Sequence, residues 1–525
     1  MLSHNLLPTI IRPTRITAHS ATLIDNIFTN AWPEIDESKI VTSDISDHLP
    51  VFTSFNFDAQ KYRNYQTNER RLINEETKRM FNTYLSAINW TPVSEECSNG
   101  DVNRAYDLFI THYKDAYNRA FPIILEKNRP RFKQPWMTKA LLKSSKRKAK
   151  LYLKYIKNPT VVNKSKFVTY RNKFKALRIQ TERNYYALEF NKNSTNLKKT
   201  WSLIRSIIKT KERDTSIETL KINGIPIDNS TEMANEFNNY FANIASLLAQ
   251  KIPNSRYSFK KYLNPPLYNS FGLIPTSSDE IINLSKTIHS THSRGSDDID
   301  PLIANSHIPI IATQLAEIIN CSLNTGTVPQ AIKIAKVVPI YKKGDKDNPI
   351  NYRPIAILPF FSKFFEKVMY SRLSIFIEKS NIIFSSQHGF RAGHSPLLSL
   401  LTMHDKISNA FEKNEYSIGI FLDLAKAFDT VNHDILLHKL STYGIRGVQL
   451  DWFTSYFENR LQYVTCNGAV SELRTVKHGV PQGSNLGPFY FSYLLTTYPM
   501  YLTFSPLFYL QTTQIFFAPT APMTP

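Results

Sequence analysis

One stretch of the chain restricts the possible fold most. Ser417–Asp423 is a β-rich run that ends on an acidic residue, and Leu424–Leu440 then takes on a helical period. Upstream, Ala335–Tyr341 is a second β-rich run, and Asp279–Leu323 is mostly helical in pattern. This alternation from about Ser278 onward predicts an α/β domain. A strand that delivers an aspartate also suits a metal site, because the rigid strand end fixes the carboxylate.

The positive charge of the chain is concentrated in one segment. Between Lys127 and Arg213 there are 26 lysine or arginine residues and three acidic residues, whereas the rest of the chain holds 38 basic and 40 acidic residues. This segment therefore supplies the whole formal net charge of +21. Such a concentration is typical of a surface that binds a polyanion, and nucleic acid fits best. The alternative is a solvated basic helix without a ligand.

Residues 59–277 are predicted to be a mainly helical, basic region. Apolar and aromatic residues recur at helical steps from Phe167 to Leu188, with basic residues between them. These rings can stack on nucleic-acid bases, or they can form the apolar stripe along which the helices pack, and we favour the stripe. Asn254–Ser277 is rich in proline, serine and tyrosine and is predicted to be a linker.

The remaining composition places the protein in a reducing compartment. Its three cysteines, Cys97, Cys321 and Cys466, lie far apart, which excludes a disulfide framework and a cysteine-rich zinc site. The N-terminus lacks the basic and then apolar layout of a signal peptide. We therefore expect an intracellular protein.

Four short motifs follow one another in the C-terminal half. They are Lys336–Asp345 (KVVPIYKKGD) with Asn351–Ile355 (NYRPI), Gln387–Arg391 (QHGFR), Phe421–Asp429 (FLDLAKAFD) and Gly479–Ser484 (GVPQGS), the last continuing to Pro488. Each motif alone is weak evidence, but their order and spacing are specific. Together they resemble the fingers and palm of the reverse transcriptases of non-long-terminal-repeat (LINE-type) retrotransposons, the jockey-like group most of all.

The resemblance implies an RNA-directed DNA polymerase, with residues 278–488 as fingers and part of the palm of an incomplete right-hand α/β fold. Such enzymes join a primer 3′-hydroxyl to a deoxynucleotide, while two Mg²⁺ ions activate the hydroxyl and neutralise the leaving pyrophosphate. Mg²⁺ prefers oxygen ligands, so the palm must present carboxylates. By resemblance, Asp423 bridges both metal ions, and Phe428 matches the aromatic that blocks a ribose 2′-hydroxyl. Without the resemblance, Asp423 would be read as a cap and Phe428 as a core ring.

Other residues take roles from the same resemblance. Arg353 matches the residue that grips the nucleotide triphosphate, and its planar guanidinium can pair with two phosphate oxygens at once. The further matched positions are Lys336, Gln482 and Gly483 for the nucleotide, and Lys342, Lys343 and Arg391 for the template. The alternatives are plain surface for each lysine and a turn with positive φ for Gly483.

The first 58 residues are predicted to form short strands and loops, with Thr22–Thr29 as one strand. They also carry a second resemblance. Thr22–Asp25 (TLID) and Ser46–Pro50 (SDHLP) resemble the end of the apurinic-type endonuclease domain that precedes the polymerase in these elements. The resemblance implies that Asp47 and His48 form a dyad that polarises phosphate or activates water, with Asp25 in the same site. The upstream two-thirds of that domain is missing, so we expect an inert, poorly folded fragment that exposes apolar edges.

The tail, residues 489–525, departs from the family pattern. It contains no charged residue in a chain that is 20% charged, whereas the family continues with an apolar helix and a hairpin bearing Phe-Ala-Asp-Asp. A membrane segment is the alternative, but Pro499 and Pro506 interrupt it and several threonines make it poor for a lipid-spanning helix.

A change of reading frame accounts for this tail. One allowed set of codons for Tyr509–Ile515, read two bases later, spells Phe-Ala-Asp-Asp-Thr-Asn. The same shift applied from Pro488 into Pro499 gives an apolar sequence close to that of the family. Gln511 and Thr512 then stand where two metal-binding aspartates are expected. An amide and a hydroxyl carry no charge to hold Mg²⁺, so we expect nucleotide transfer to fall to background.

Two functions follow from these patterns. The first is an RNA-directed DNA polymerase that acts on an RNA template, a DNA primer or target and deoxynucleotides, and that is catalytically defective in this chain. The second is a non-catalytic remnant that binds RNA or DNA through residues 127–213. Either would work in the nucleus or in a cytoplasmic ribonucleoprotein, without a membrane. The expected organisation is 1–58 endonuclease remnant, 59–277 helical basic region, 278–488 polymerase and 489–525 aberrant tail.

Overall fold

The structure is a computed structural model that describes most of the chain. The described residues are 6–17, 19–31, 33, 35–43, 45–55, 68–126, 134–208, 217–222, 224–251, 258–263, 265–383, 387–391, 393–423, 426–490, 507–510 and 513–522. They form two compact units, one of residues 1–70 with 123–214 and one of residues 71–122 with 215–525.

Helices and strands alternate along the chain. The helices are α1 (Glu75–Ser86), α2 (Thr91–Asn99), α3 (Val102–Ala120), α4 (Lys139–Lys157), α5 (Val161–Lys192), α6 (Leu197–Ile208), α7 (Ser230–Ala249), α8 (Ser278–Thr287), α9 (Pro301–Ser306), α10 (Ile308–Thr325), α11 (Ser362–Lys379), α12 (Pro396–Glu412), α13 (His433–Thr442) and α14 (Val448–Phe457). The strands are β1 (Leu7–Pro8), β2 (Arg15–Ile16), β3 (Ala21–Thr22), β4 (Phe28–Thr29), β5 (Ile35–Ile40), β6 (Val51–Phe55), β7 (Asn68–Arg71), β8 (Ile123–Glu126), β9 (Leu220–Ile222), β10 (Ile225–Ile227), β11 (Ile334–Tyr341), β12 (Tyr352–Ile357), β13 (Glu415–Asp423), β14 (Leu461–Cys466), β15 (Ala469–Val470), β16 (Arg474–Thr475), β17 (Leu507–Leu510) and β18 (Thr513–Pro522).

The first unit consists of paired short strands and a basic helical hairpin. Its strands pair in twos: β1 with β4, β2 with β3, β5 with β6 and β7 with β8. The helices α4 and α5 pack through Tyr152 and Phe167, whose ring centroids lie 5.1 Å apart. Leu49 joins these two rings in a small buried cluster. Tyr152 and Phe167 therefore belong to the hairpin's own core, as the apolar-stripe prediction has it, whereas Trp201, another ring of the basic region, is 57% exposed. Ile11 and Ile45 remain 85% exposed, so the strands of this unit leave apolar surface uncovered.

The predicted strand Thr22–Thr29 is wrong in its middle. The structure ends β3 at Thr22 and begins β4 at Phe28. Between them, the backbone N–H groups of Ile24 and Asp25 donate to Thr14 Oγ1, at 3.2 and 3.0 Å. Asn26 donates to the Ile10 carbonyl and accepts from its N–H, at 2.7 and 3.0 Å. These side chains offer the backbone an alternative to a strand ladder.

The second unit is a mixed helix and strand fold with two main sheets. The larger sheet has the order β12–β11–β14–β15, and β16 also pairs with β14. Within it, β11 runs antiparallel to β12 and parallel to β14. The other sheet has the order β13–β18–β17, and both of its pairings are antiparallel. The strands β11 and β13 confirm two strands predicted from the sequence.

The largest core of this unit is aromatic and lies between helices. On α3, Phe109 and Tyr113 are fully buried and meet Phe361 edge to face, with ring centroids 5.2 and 5.1 Å apart. Trp452 of α14 is also fully buried in this core. Burial of these rings makes residues 71–122 part of the second unit, so the structure divides the expected helical region 59–277 between two units.

The helix α7 belongs to the second unit as well, because it covers the larger sheet. Its Phe237 is fully buried with Val337 and Val464 of the sheet. Asn238, also buried, donates to the Glu472 carbonyl at 2.7 Å and accepts from Gln462 Nε2 at 3.0 Å. A buried amide held at several of its atoms fixes the helix in register on the sheet.

The predicted linker Asn254–Ser277 packs on the second unit along its described part. The N–H of Leu267 donates to the Thr442 carbonyl and that of Phe271 to the Gly444 carbonyl, each at 2.9 Å. Phe271 is buried in the aromatic core. The linker prediction is therefore wrong for this stretch. Its high proline and serine content suggested an exposed segment, although Phe271 is buried.

The residues after β13 differ from the predicted direct passage into a helix. Lys426 has a φ of 52°, in the left-handed region, and residues 426–430 form turns. Helix α13 begins at His433, where the Asn432 side chain accepts a hydrogen bond from the Ile435 N–H at 3.0 Å. An asparagine at this position satisfies a backbone donor that the helix leaves open, so it sets where the helix starts.

Across the described part of the chain, every helix is too short or too polar to cross a membrane.

Candidate active site

The structure brings the four sequence motifs together at one place in the second unit. The N–H of Val480 donates to the Phe428 carbonyl at 2.8 Å, which joins the fourth motif to the third. The N–H of Ala356, next to the first motif, donates to the Gln482 carbonyl at 2.9 Å. Phe390 of the second motif meets Phe428 edge to face at 6.1 Å. Contacts between residues as far apart in sequence as Ala356 and Gln482 thus bring the motifs together beside Phe428.

Two glycines make this close backbone approach possible. Gly479 has a φ of 85°, and a Cβ added there would lie 2.6 Å from the Asp429 carbonyl oxygen. Gly483 has a φ of 134°, and a Cβ there would lie 2.5 Å from the Ala356 carbonyl oxygen. Other residues would meet both strain and backbone collision at these positions. Gly483, singled out from the sequence, therefore lies directly against the β11–β12 ribbon.

Gln482, a predicted nucleotide contact, is engaged inside the protein. Its Nε2 donates to Asp429 Oδ1 at 2.7 Å. Burial raises the pKa of the Asp429 carboxyl, against the opposing effects of the Gln482 hydrogen bond and of Lys426. Asp429 ends the third motif, yet sequence reasoning gave it no role. This hydrogen bond therefore links Gln482 of the fourth motif to Asp429 of the third.

The predicted cationic residues lie on or beside the ribbon of β11 and β12. Arg353 is exposed on β12, opposite Ile340 of β11. Lys342 and Lys343 are exposed just after β11, and Lys336 is half-buried within it. Arg353 and Lys342 are therefore exposed cations at the same end of this ribbon. Arg391 is placed elsewhere, in a cleft that Tyr370 and Phe489 also line.

A buried glutamate that sequence reasoning missed anchors the fourth motif. Glu366 of α11 is 1% exposed. It accepts hydrogen bonds from the Asn485 N–H at 2.6 Å and from the Tyr456 hydroxyl at 2.8 Å. Burial raises the pKa of the Glu366 carboxyl, against these hydrogen bonds. The sequence feature that could have indicated Glu366 is a single acidic residue among the aromatic, aliphatic and basic residues of Lys363–Met369.

The strand that carries Asp423 has an uncharged neighbour. β13 ends at Asp423, whose backbone alone is described, and β18 pairs with it so that Thr513 lies opposite Asp423. Thr513 in turn pairs with Leu510 of β17. Gln511 and Thr512, which the sequence places at the missing aspartates, lie outside the described residues.

The donor set at this strand end does not fit a two-metal site. Residues 489–525 supply no acidic side chain at all. Across the described residues there is also no group of three or more histidine, cysteine, aspartate or glutamate side chains that could hold a metal ion. Mg²⁺ in polymerase sites needs carboxylate oxygens, and one aspartate is too few to bind two ions.

Comparison with known proteins identifies this part of the chain. Residues 340–503 match the sequence profile of the family described as reverse transcriptase (RNA-dependent DNA polymerase). The chain contains a reverse transcriptase domain. Its relatives are proteins of non-LTR retrotransposons, the jockey-like group among them. The four converging motifs therefore belong to a reverse transcriptase domain.

Three of the relatives from Drosophila melanogaster illustrate the similarity. The probable RNA-directed DNA polymerase from transposon BS is 32% identical over 45% of this chain and 26% of its own length. The RNA-directed DNA polymerase from mobile element jockey is 31% identical over 46% of this chain and 26% of its own length. The probable enzyme from transposon X-element is 36% identical over 30% of this chain and 18% of its own length. The chain thus spans about a quarter of the length of the first two relatives.

The N-terminal unit has a separate pair of site residues from the sequence prediction. His48 Nδ1 lies 2.8 Å from Asp25 Oδ2. Asp47 is instead paired with Arg15, at 3.1 Å. Hydrogen bonds from Thr14 and His48 hold the pKa of Asp25 below its ordinary value. The structure therefore places Asp25, rather than Asp47, against the His48 imidazole, and the catalytic roles of the three residues stay a prediction.

Proposed function

We propose that this chain is an RNA-directed DNA polymerase of a non-LTR retrotransposon whose nucleotide-transfer site is defective. The observation that carries the proposal is the pairing of β13 with β18, which sets Thr513 opposite Asp423. The ends of these strands are where a polymerase of this kind would gather its carboxylates, and the tail holds none. The converging motifs support a template and nucleotide groove around Phe428.

The loss of carboxylates has a direct chemical consequence. The two metal ions can activate the primer 3′-hydroxyl and neutralise the leaving pyrophosphate only when the protein binds them. Asp423 alone cannot hold them, and the side chains of Gln511 and Thr512 bring no charge. We therefore expect no metal-dependent nucleotide transfer by this chain. Its remaining residues would bind and orient nucleotide and template without transferring the nucleotide.

Metal binding tests the proposal. We expect Mn²⁺, as a paramagnetic substitute for Mg²⁺, to bind the variant Gln511→Asp with Thr512→Asp more tightly than the wild-type chain. A matched control, Thr496→Asp with Thr497→Asp, adds the same charge to an earlier part of the tail sequence. Equal Mn²⁺ affinity in all three proteins would contradict the proposed placement of the missing ligands.

The nucleotide sequence gives an independent check of the proposed frame change. We expect an alternative frame near the codons of Pro488 and Leu510 to encode Asp-Asp preceded by an aromatic and a small residue. Absence of any such frame there would rule out the frame change as the origin of the tail.

Nucleic-acid binding without catalysis is the second candidate function. The observation that favours it is the hairpin of α4 and α5, which carries sixteen basic and two acidic residues. Each phosphate that such a surface contacts releases counterions, so binding weakens steeply as salt rises. We expect neutralising Lys146, Arg147, Lys148 and Lys150 to flatten the salt dependence of RNA or DNA binding. An unchanged salt slope would remove this candidate.

We also propose that residues 1–58 are an inert remnant of an apurinic-type endonuclease. The pairing of His48 with Asp25 at 2.8 Å supports descent from a phosphate-cleaving site. Exposed Ile11 and Ile45 support an incomplete fold. Plasmid nicking in the presence of Mg²⁺ should stay at the level of buffer alone, and nicking that is lost in His48→Ala would refute the proposal.

A further inference from the structure

One face of α4 carries a row of lysines. The helix contains no acidic residue and has six lysines at steps of three or four residues. Because successive residues of an α-helix are turned by about 100°, these steps keep all six within about a quarter of the helix circumference. All six are exposed, and together they form the lysine stripe: Lys139, Lys143, Lys146, Lys150, Lys154 and Lys157.

The opposite face of α4 packs against α5. Leu141 and Tyr152 lie about half a turn away from the lysine stripe, and both are buried. From the same face, Ser144 Oγ lies 2.9 Å from the Tyr170 hydroxyl of α5. The apolar side of α4 is therefore occupied by its partner helix, and the lysine stripe faces away from that helix.

Two further basic residues of α4 are engaged with α5. The guanidinium carbon of Arg147 lies 5.7 Å from the centroid of the Tyr170 ring, and Lys148 Nζ lies 5.6 Å from that of Phe174. Such contacts between a cation and an aromatic ring stabilise the packing of the two helices. The structure thus separates the basic residues of one helix into an outward row and a pair that belongs to the hairpin.

The length and charge of the lysine stripe fit a nucleic-acid backbone. At a rise of about 1.5 Å per residue, the distance along α4 from Lys139 to Lys157 is about 27 Å. About eight base pairs of duplex DNA cover the same length and carry about sixteen phosphates. Each ammonium group of the stripe can therefore meet a phosphate. Contacts of this kind fix the position of the duplex but do not read its bases.

The remaining chemistry of this face favours a duplex over a single strand or a lipid surface. Proteins that bind single strands stack the bases on aromatic rings. The aromatic residues of α4 are Tyr152 and Tyr155, and Tyr155 stacks on Phe167 of α5 with ring centroids 6.5 Å apart. A helix that binds a lipid surface inserts its apolar face, and that face of α4 lies in the core of the hairpin.

We propose that the lysine stripe binds the phosphate backbone of a nucleic-acid duplex without reading its sequence. This inference deepens the second candidate function and rests on it, because it assumes that the basic hairpin meets nucleic acid. It names the face, the contacting residues and the kind of nucleic acid. Arg147 and Lys148 stabilise the hairpin instead of contacting the duplex.

The salt dependence of duplex binding by the full chain tests this inference. Fluorescence anisotropy with a labelled DNA duplex of about 20 base pairs gives Kd at a series of salt concentrations. Each lost phosphate contact should lower the slope of log Kd against log salt concentration by about 0.9, so Lys146→Gln with Lys150→Gln should lower it by about 1.8.

A matched control removes the same charge from the same turns of α4. Arg147→Gln with Lys148→Gln should lower the slope by less than about half as much as the stripe variant. Because this control loses two contacts with the rings of α5, it should also lower the thermal stability of the protein more than the stripe variant does. Circular dichroism during heating measures that difference and shows whether each variant is folded.

Three further probes define the ligand. A second duplex of unrelated sequence should give the same Kd as the first. A single strand of the same length should bind more weakly, and its salt slope should fall less in the stripe variant than the slope of the duplex does. Vesicles of phosphatidylserine and phosphatidylcholine should not distinguish the stripe variant from the control.

Several results would overturn the inference. Equal loss of slope in the two double variants would remove the lysine stripe as the contact surface. An equal loss with the single strand would refute the choice of a duplex, a Kd that depends on sequence would refute backbone contact alone, and vesicles that bind only the control would assign the stripe to lipid. In each case the wild-type chain still binds nucleic acid, so the second candidate function stands. A wild-type chain that binds no nucleic acid would refute that function itself.

Discussion

Replacing Glu366 by alanine should loosen the turn that carries Gln482. Glu366 is buried and accepts one hydrogen bond from the Asn485 N–H and one from the Tyr456 hydroxyl. The variant Glu366→Ala removes the carboxylate that accepts from the buried Tyr456 hydroxyl and from the partly buried Asn485 N–H. Because Asn485 follows the Gly479–Ser484 motif directly, loss of this anchor should reach the contact between Gln482 and Asp429.

The magnitude follows from those two hydrogen bonds. Each donor left unsatisfied costs about 1–3 kcal/mol, so Glu366→Ala should lower the free energy of unfolding by about 2–6 kcal/mol. Glu366→Gln should cost about 1 kcal/mol, because its oxygen can accept from Asn485 while its amide donates to the Tyr456 hydroxyl. Because burial raises the folded pKa of Glu366, we expect this group to stabilise the wild type as the pH falls from above the folded pKa towards the unfolded value, and Glu366→Gln should lack that contribution.

Urea unfolding followed by tryptophan fluorescence measures this cost, because Trp452 is fully buried and stacks on Tyr456 with centroids 5.6 Å apart. Glu378→Ala is the matched control, since Glu378 is exposed on the same helix. The order of stability should be wild type, with Glu378→Ala close to it, then Glu366→Gln and then Glu366→Ala. If Glu366→Ala unfolds at the same urea concentration as Glu378→Ala, the anchor argument is wrong.

Three further predictions concern stability. Burial lowers the pKa of Lys333 to about 8, whereas the same group in the unfolded chain keeps its proton up to about 10.5. The free energy of unfolding should therefore rise between these pH values, and Lys333→Met should reduce that rise in urea titrations at pH 8 and 10, with Lys439, whose pKa is also lowered to about 8, supplying the remainder. Gly479→Ala should lower the free energy of unfolding by about 2 kcal/mol or more. Gly224 has a φ of 84° and open space around it, so Gly224→Ala should lower the free energy of unfolding by only about 1 kcal/mol in the same assay. Asn238→Ala should lower the melting temperature, whereas Asn243→Ala, at an exposed site, should leave it within error.

The sequence predicted individual strands better than it predicted the division into units. The two strands at Ala335–Tyr341 and Ser417–Asp423 were visible because β-rich runs have a local pattern. The order and spacing of the four motifs resemble those of one family, and this resemblance implied that the folded chain brings them together. The start of α13 was not visible, because the left-handed Lys426 and the cap at Asn432 interrupt a continuous helical pattern.

The missed residues share one physical feature: their roles depend on distant partners. Glu366 needs Asn485, and Asp429 needs Gln482. No window of neighbouring residues contains such a pair. The division of the region 59–277 was missed for the same reason, because the burial of Phe109 against Phe361 is set by tertiary packing.

Primer extension tests the central claim most directly. The purified chain is mixed with an RNA template, a DNA primer, Mg²⁺ and four deoxynucleotides, beside the variant Asp423→Ala. With one of the required carboxylates in place and the others absent, we expect both proteins to extend the primer no further than buffer alone. Extension by the wild-type chain that disappears in Asp423→Ala would contradict the account, because it would mean that this chain holds a working metal site.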